Sequence, residues 1–96
     1  MPLGTNTWLY RKSIASLERD EYGIYELLDS FYEIIYIGHG KIQSSLMKHF
    51  EDREHPIADA CLFSTEYTWT AEKSESRWKE ELAKYHAKHN KYPRFN

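Results

Sequence analysis

Residues 22–38 read Tyr22-Gly23-Ile24-Tyr25-Glu26-Leu27-Leu28-Asp29-Ser30-Phe31-Tyr32-Glu33-Ile34-Ile35-Tyr36-Ile37-Gly38, and this stretch decides the fold. Tyr22 to Leu28 is rich in β-branched and aromatic types and predicts a strand. Asp29-Ser30 is turn chemistry, because short polar side chains hydrogen-bond to nearby backbone. Tyr32 to Ile37 predicts a second strand, and two strands joined by a short turn make an antiparallel hairpin. Two phenols and two glycines, in Gly23-Ile24-Tyr25 and Tyr36-Ile37-Gly38, are more than a core requires. Gly38-His39-Gly40 reads as a break after the second strand, with glycine free to turn sharply or to lie close to another group.

Working outward, Lys41 to Arg53 reads as a helix with Ile42, Leu46 and His49-Phe50 on one face, ended by Pro56. Ala60 to Tyr67 alternates as a third strand. Thr70 is placed to cap a helix from about Glu72 to His89, whose stripe is Trp78, Leu82, Tyr85 and His89; Asn90 reads as its C-cap and Pro93 as a stop. On the N-terminal side, Ile14, Leu17 and the charged run Glu18 to Glu21 predict a short helical turn. Residues 1–12, with Pro2 and Gly4, read as loose. The order β-β-α-β-α predicts an α/β (α+β) domain over residues 22–96, a three-stranded antiparallel sheet flanked by helices, after an N-terminal extension of residues 1–21.

Composition bounds the function. Ninety-six residues make one domain, with 41% hydrophobic residues and 16% aromatic ones to fill a core. The single cysteine, Cys61, forms no internal disulfide and points to a reducing compartment, and no apolar run reaches the length of a membrane span, so the expectation is a cytoplasmic protein with no membrane partner. With His86 and His89, Cys61 makes too thin a set for zinc. Net charge is −2, which excludes a polycation. From Arg77 onward, however, six Lys and Arg side chains face only Glu80 and Glu81, so a local anion-binding face is compatible with the chain, as is an ordinary solvated helix surface.

The two triplets, His49 thirteen residues after Tyr36, the ending Pro93-Arg94-Phe95-Asn96 and the element order together resemble the GIY-YIG endonuclease superfamily. The resemblance implies a phosphodiester hydrolase acting on nucleic acid, DNA first, with one Mg²⁺ held by a Glu on the last helix. It implies Tyr25 as base or water-orienting group, Tyr36 as its hydrogen-bonding partner and His49 as proton relay or phosphate contact. Gly38, His39, Lys41, Ser45, Lys48 and Asn96 are the candidate nucleic-acid contacts. Two positions depart from the family pattern. Ser45 stands where an Arg is expected, and Trp78 (Lys79 with one residue of slip) where the Glu is expected; neither Trp nor Lys binds Mg²⁺. Glu75 and Glu81, one turn to either side, are the acids left to substitute.

Three functions remain open at this point. The first is a nuclease-like domain that binds nucleic acid with hydrolysis weak or lost and needs no cofactor. The second is an active Mg²⁺-dependent endonuclease with Glu75 or Glu81 as a displaced ligand. The third is a catalytically inert module with a protein partner. The bland readings stand beside these: Tyr25 and Tyr36 as strand aromatics, His49 as a packing residue, His39 as a tolerated loop residue, and Trp78 as a core plug rather than an exposed stacking indole.

Overall fold

The computed structural model describes residues 7–51 and 60–96. The elements run β1 (Trp8–Leu9), α1 (Lys12–Ala15), β2 (Tyr22–Leu28), β3 (Ile34–Lys41), α2 (Ile42–Glu51), β4 (Leu62–Tyr67) and α3 (Ala71–His89). The strands form one antiparallel sheet in the order β1-β4-β2-β3. The expected β-β-α-β-α order is present, but the sheet has four strands where three were expected. The added strand is Trp8–Leu9, which pairs with Phe63 and Leu62 and continues through the Tyr10 N–H to the Cys61 carbonyl (2.8 Å). Residues 8–10 are therefore paired with the sheet and not loose; a two-residue strand has no periodicity to read. The turn prolines and glycines of the first six residues, Arg53, the helix stop at Pro56 and the side chain of Phe50 lie outside the described residues.

Pairing corrects a second expectation. Gly38-His39-Gly40 does not break β3, which runs on to Lys41 against Tyr22–Tyr25 of β2. A partner strand supplies the ladder hydrogen bonds that keep this stretch in the sheet, whatever the local freedom of its glycines. The turn before β3 is as read: Asp29 Oδ1 accepts from the N–H groups of Phe31 (2.9 Å) and Glu33 (3.0 Å). Thr70 caps α3 by accepting from the Lys73 N–H, and Asn90 closes it in the left-handed region at φ 58°.

Strand alternation sorts the sheet into two faces. Cross-strand partners share a face, so Tyr25, Leu27, Tyr36, Gly38, Phe63, Thr65 and Tyr67 look one way, while Ile24, Glu26, Ile37, His39, Ser64 and Glu66 look the other. The first face packs under α1 and α2 in a core of Ala15, Tyr25, Leu27, Ile42, Leu46 and Phe63. The second lies under α3, where Arg77 reaches Glu66 and Trp78 reaches β3. The result is three layers: α1 and α2, the sheet, then α3.

Candidate functional site

On the α2 side, three rings converge. Tyr25 sits directly opposite Gly38, and Tyr36 one diagonal step away, opposite Leu27. The two phenol rings are 6.0 Å apart, and His49 packs edge-on to both, at 5.8 Å from Tyr25 and 5.1 Å from Tyr36. Tyr25 Oη lies 2.7 Å from His49 Nε2. Gly38 makes this possible by absence: a Cβ there would overlap Cζ and Oη of Tyr25, so the ring lies flat over bare backbone. Only 2% of Tyr25 is exposed, whereas Tyr36 and His49 are half-buried. Burial, reinforced by the neighbouring Tyr36 hydroxyl, pushes the Tyr25 phenol well above its ordinary pKa. It stays protonated at neutral pH, and the imidazole tautomer sets which of Tyr25 Oη and His49 Nε2 is the donor.

The remaining candidates are distributed around this cluster. Ser45 lies one helical turn before His49, on the same side of α2. It is close beneath Gly40, where a Cβ would come 3.1 Å from Ser45 Oγ. Gly40 has φ +125°, which only glycine adopts without strain. Lys48 is exposed in the last turn of α2, and Lys41 ends β3 with its ammonium 5.8 Å from the Tyr22 ring centre. Asp20, which sequence reasoning passed over, accepts from both the N–H (3.0 Å) and Oγ (2.7 Å) of Ser44 and so occupies the N-terminus of α2. The Ser44 hydroxyl, then its N–H, hold the Asp20 carboxyl below its usual range. Its signal in the sequence was faint: an Asp ahead of a strand, capping a helix far along the chain.

His39, Trp78 and Asn96 are not gathered with the phenols. His39 faces α3, its ring 4.6 Å from the Trp78 indole. Trp78 Nε1 donates to the Ile37 carbonyl (2.8 Å) on the outer edge of β3, so the indole neither fills the space before Tyr25 and Tyr36 nor stands free. The Asn96 amide grips the same residue twice, accepting from the Ile37 N–H (2.8 Å) and donating to its carbonyl (2.9 Å).

The acids on α3 are committed to cations. Glu75 pairs with Lys79 on the exposed side (3.5 Å), and Glu81 is held by Arg77 (2.9 Å) and Lys84 (3.6 Å). Arg77 also forks onto both oxygens of Glu66 at 2.7 and 3.0 Å, and these hydrogen bonds push the guanidinium pKa up. Both Glu75 and Glu81 belong to the layer across the sheet from the Tyr25–Tyr36–His49 cluster. Among the described residues no group of three His, Cys, Asp or Glu side chains is placed to hold a metal. A Mg²⁺ beside the phenols would need a carboxylate on their own side, and neither acid fits that requirement.

The family model described as a domain of unknown function (DUF7508) matches residues 1–89. The chain belongs to this family. No curated protein matches the sequence. Among solved structures the chain is similar to the GIY-YIG N-terminal endonuclease domain of UvrC from Thermotoga maritima. The magnesium-bound form shows 19% identity over 88% of this chain and 93% of that one, with a TM-score of 0.71. A tyrosine point mutant bound to its catalytic divalent cation shows 20% identity over 88% and 92%, with the same TM-score of 0.71. This DUF7508 chain has the fold of that GIY-YIG domain, at low sequence identity to it. None of its helices is long and apolar enough, among the described residues, to cross a membrane.

Proposed function

We propose that this domain binds nucleic acid, DNA first, through the face carrying Tyr36, His49 and Ser45, with Lys48 on the same helix and Lys41 at the end of β3 adding charge, and that phosphodiester hydrolysis is weak or lost. The observation that carries the reading is a separation. The phenol–imidazole cluster is intact, while every acid proposed as a metal ligand is tied to Arg or Lys on the opposite layer. A partly exposed phenol offers a hydrogen bond to phosphate oxygens, and two lysines add charge. With a Ser for the forked guanidinium, and with Glu75 and Glu81 on the far layer, transition-state charge goes unmet. One electrostatic donor of that kind is typically worth about 3 kcal/mol. Tyr25, kept protonated by burial, is a positioning group for His49 and not a base.

The test pairs two measurements. Fluorescence anisotropy with labelled DNA at several salt concentrations is expected to give an affinity that falls linearly on a log-log plot. Tyr36→Phe should leave it nearly unchanged, because backbone charge dominates. Incubation of supercoiled plasmid and branched DNA with Mg²⁺ is expected to leave both intact. Nicking that EDTA stops and Glu81→Gln abolishes would restore the active endonuclease. No affinity for DNA or RNA at low salt would leave only the protein-interaction module.

A further inference from the structure

The link between β4 and α3 carries an exposed indole in an unusual backbone conformation. Trp69 has φ +70°, which L-residues with large side chains rarely adopt, yet it is 57% exposed. Burial of the side chain does not account for the conformation. Its ring lies against Tyr67 at 5.4 Å with 23° between the planes. Tyr67 is itself pinned, its hydroxyl donating to Glu18 Oε1 (3.0 Å) and accepting from the Arg19 N–H (3.0 Å). The link is tied to the sheet as well: the N–H groups of Thr68 (2.9 Å) and Trp69 (3.0 Å) both reach the Tyr22 carbonyl. The indole therefore rests on a fixed phenol while more than half of the residue stays exposed.

Trp69 and Tyr67 both line a groove of about 480 Å³, together with Thr68, Lys73, Ser76 and Arg77. Lys73 is exposed and stands in no ion pair among the described residues. The one acid in the groove, Glu66, is neutralised by the Arg77 fork. The groove thus offers an exposed aromatic ring, hydroxyls and an unpaired cation at the start of a 19-residue helix.

We propose that Trp69 on Tyr67 is a stacking shelf for an unpaired nucleobase, with Lys73 meeting the adjoining phosphate. This rests on the nucleic-acid-binding reading above and extends it, because Tyr22, which holds the link, pairs with Lys41 at the same end of the sheet. The occupant follows from shape and charge. A base inside a duplex shows only its edges, so an exposed ring fits a base from a single-stranded, flipped or frayed segment. A folded protein partner needs a far larger surface, roughly 800 Å² on each side, than one ring and a small groove provide.

Anisotropy titrations with a labelled single strand and with the blunt duplex of the same sequence test the proposal. Trp69→Ala is expected to weaken single-strand binding about tenfold or more and to leave the duplex unchanged, since stacking on one aromatic is worth roughly 1–3 kcal/mol per base. Trp69→Phe should retain most of the affinity. Trp69→Gly, which relieves the backbone at φ +70°, should fold at least as readily and bind as poorly as Trp69→Ala. Lys73→Ala should lower the salt slope by about one for the single strand. Wild-type binding unchanged in both Trp69→Ala and Trp69→Gly overturns the shelf and leaves the general reading intact. Absence of wild-type binding to any nucleic acid overturns both. Concentration-dependent dimerisation that Trp69→Ala abolishes would reassign the ring to a second copy of this chain.

Discussion

Gly38 and Tyr25 form one unit, and their substitutions separate its two parts. Gly38→Ala drives a methyl group into a ring that is 2% exposed and hydrogen-bonded to His49, so something packed must move. Overpacking of this kind costs about 1–3 kcal/mol. Tyr25→Phe keeps the ring and removes only the Oη–Nε2 bond, a loss of about 1 kcal/mol. Urea unfolding of the two variants should rank Gly38→Ala as the more damaging; the reverse order would mean that the hydroxyl and not the close approach organises the cluster. Alkaline pH probes the same buried phenols. Burial raises Tyr67 to about 12, and Tyr25 is raised as well, whereas an unfolded tyrosine titrates near 10. The folded state holds these protons after the unfolded state has released them. The stability they contribute is therefore complete below about pH 10 and is lost as pH rises through the folded values. The urea midpoint should fall from pH 10 to 12, and less steeply in Tyr67→Phe.

Among the elements, β3 is at the edge of the sheet, where an unpaired strand invites association. The C-terminal segment covers it. The Phe95 N–H bonds to the Ile35 carbonyl (2.9 Å), Asn96 pairs with the Ile37 backbone, and Trp78 adds its indole N–H. A side-chain amide presents a donor and an acceptor side by side, as a neighbouring strand would. Asn96→Ala removes two of these bonds and is expected to cost about 1–2 kcal/mol in chemical denaturation. It should also raise the rate of aggregation measured by light scattering. An unchanged midpoint would mean that Trp78 and Phe95 suffice. At the other edge, β1 covers β4, so segments near the two ends of the chain blunt both sides of the sheet.

For the whole molecule, the three-layer arrangement decides which charged groups meet. The Arg77 network with Glu66, Glu80 and Glu81 stands on the α3 side, and the phenols stand under α2. A cation site joining Glu75 or Glu81 to the phenols would need those acids to cross the sheet. Magnesium at a hundred times a site's Kd would stabilise the fold by about 2.7 kcal/mol. Thermal melts with and without millimolar Mg²⁺ are expected to coincide. A rise of several degrees that Glu81→Gln removes would show that the Arg77 network opens to receive a metal.

The sequence by itself determined the elements whose signals are local: the β-branched and aromatic composition of β2, the Asp29 turn, the Thr70 and Asn90 caps, the stripe of α3, and the two triplets whose spacing pairs Tyr25 with Gly38. These follow from backbone preference and periodicity, which act over a few residues. The tertiary structure alone decided the rest. Gly38 to Lys41 continue as strand because Tyr22 to Tyr25 pair with them, and Trp8–Leu9 become strand because β4 has an edge to fill. Trp78 turns to the edge of β3 and Glu81 to Arg77, away from the phenols, because the sheet lies between. A bulky residue in the short link Thr68-Trp69-Thr70 was the one hint of the exposed indole, and only the packing of Tyr67 beneath it made a shelf. Hydrogen bonds and ion pairs across the fold join residues far apart in the chain, and no local pattern encodes which of them will meet.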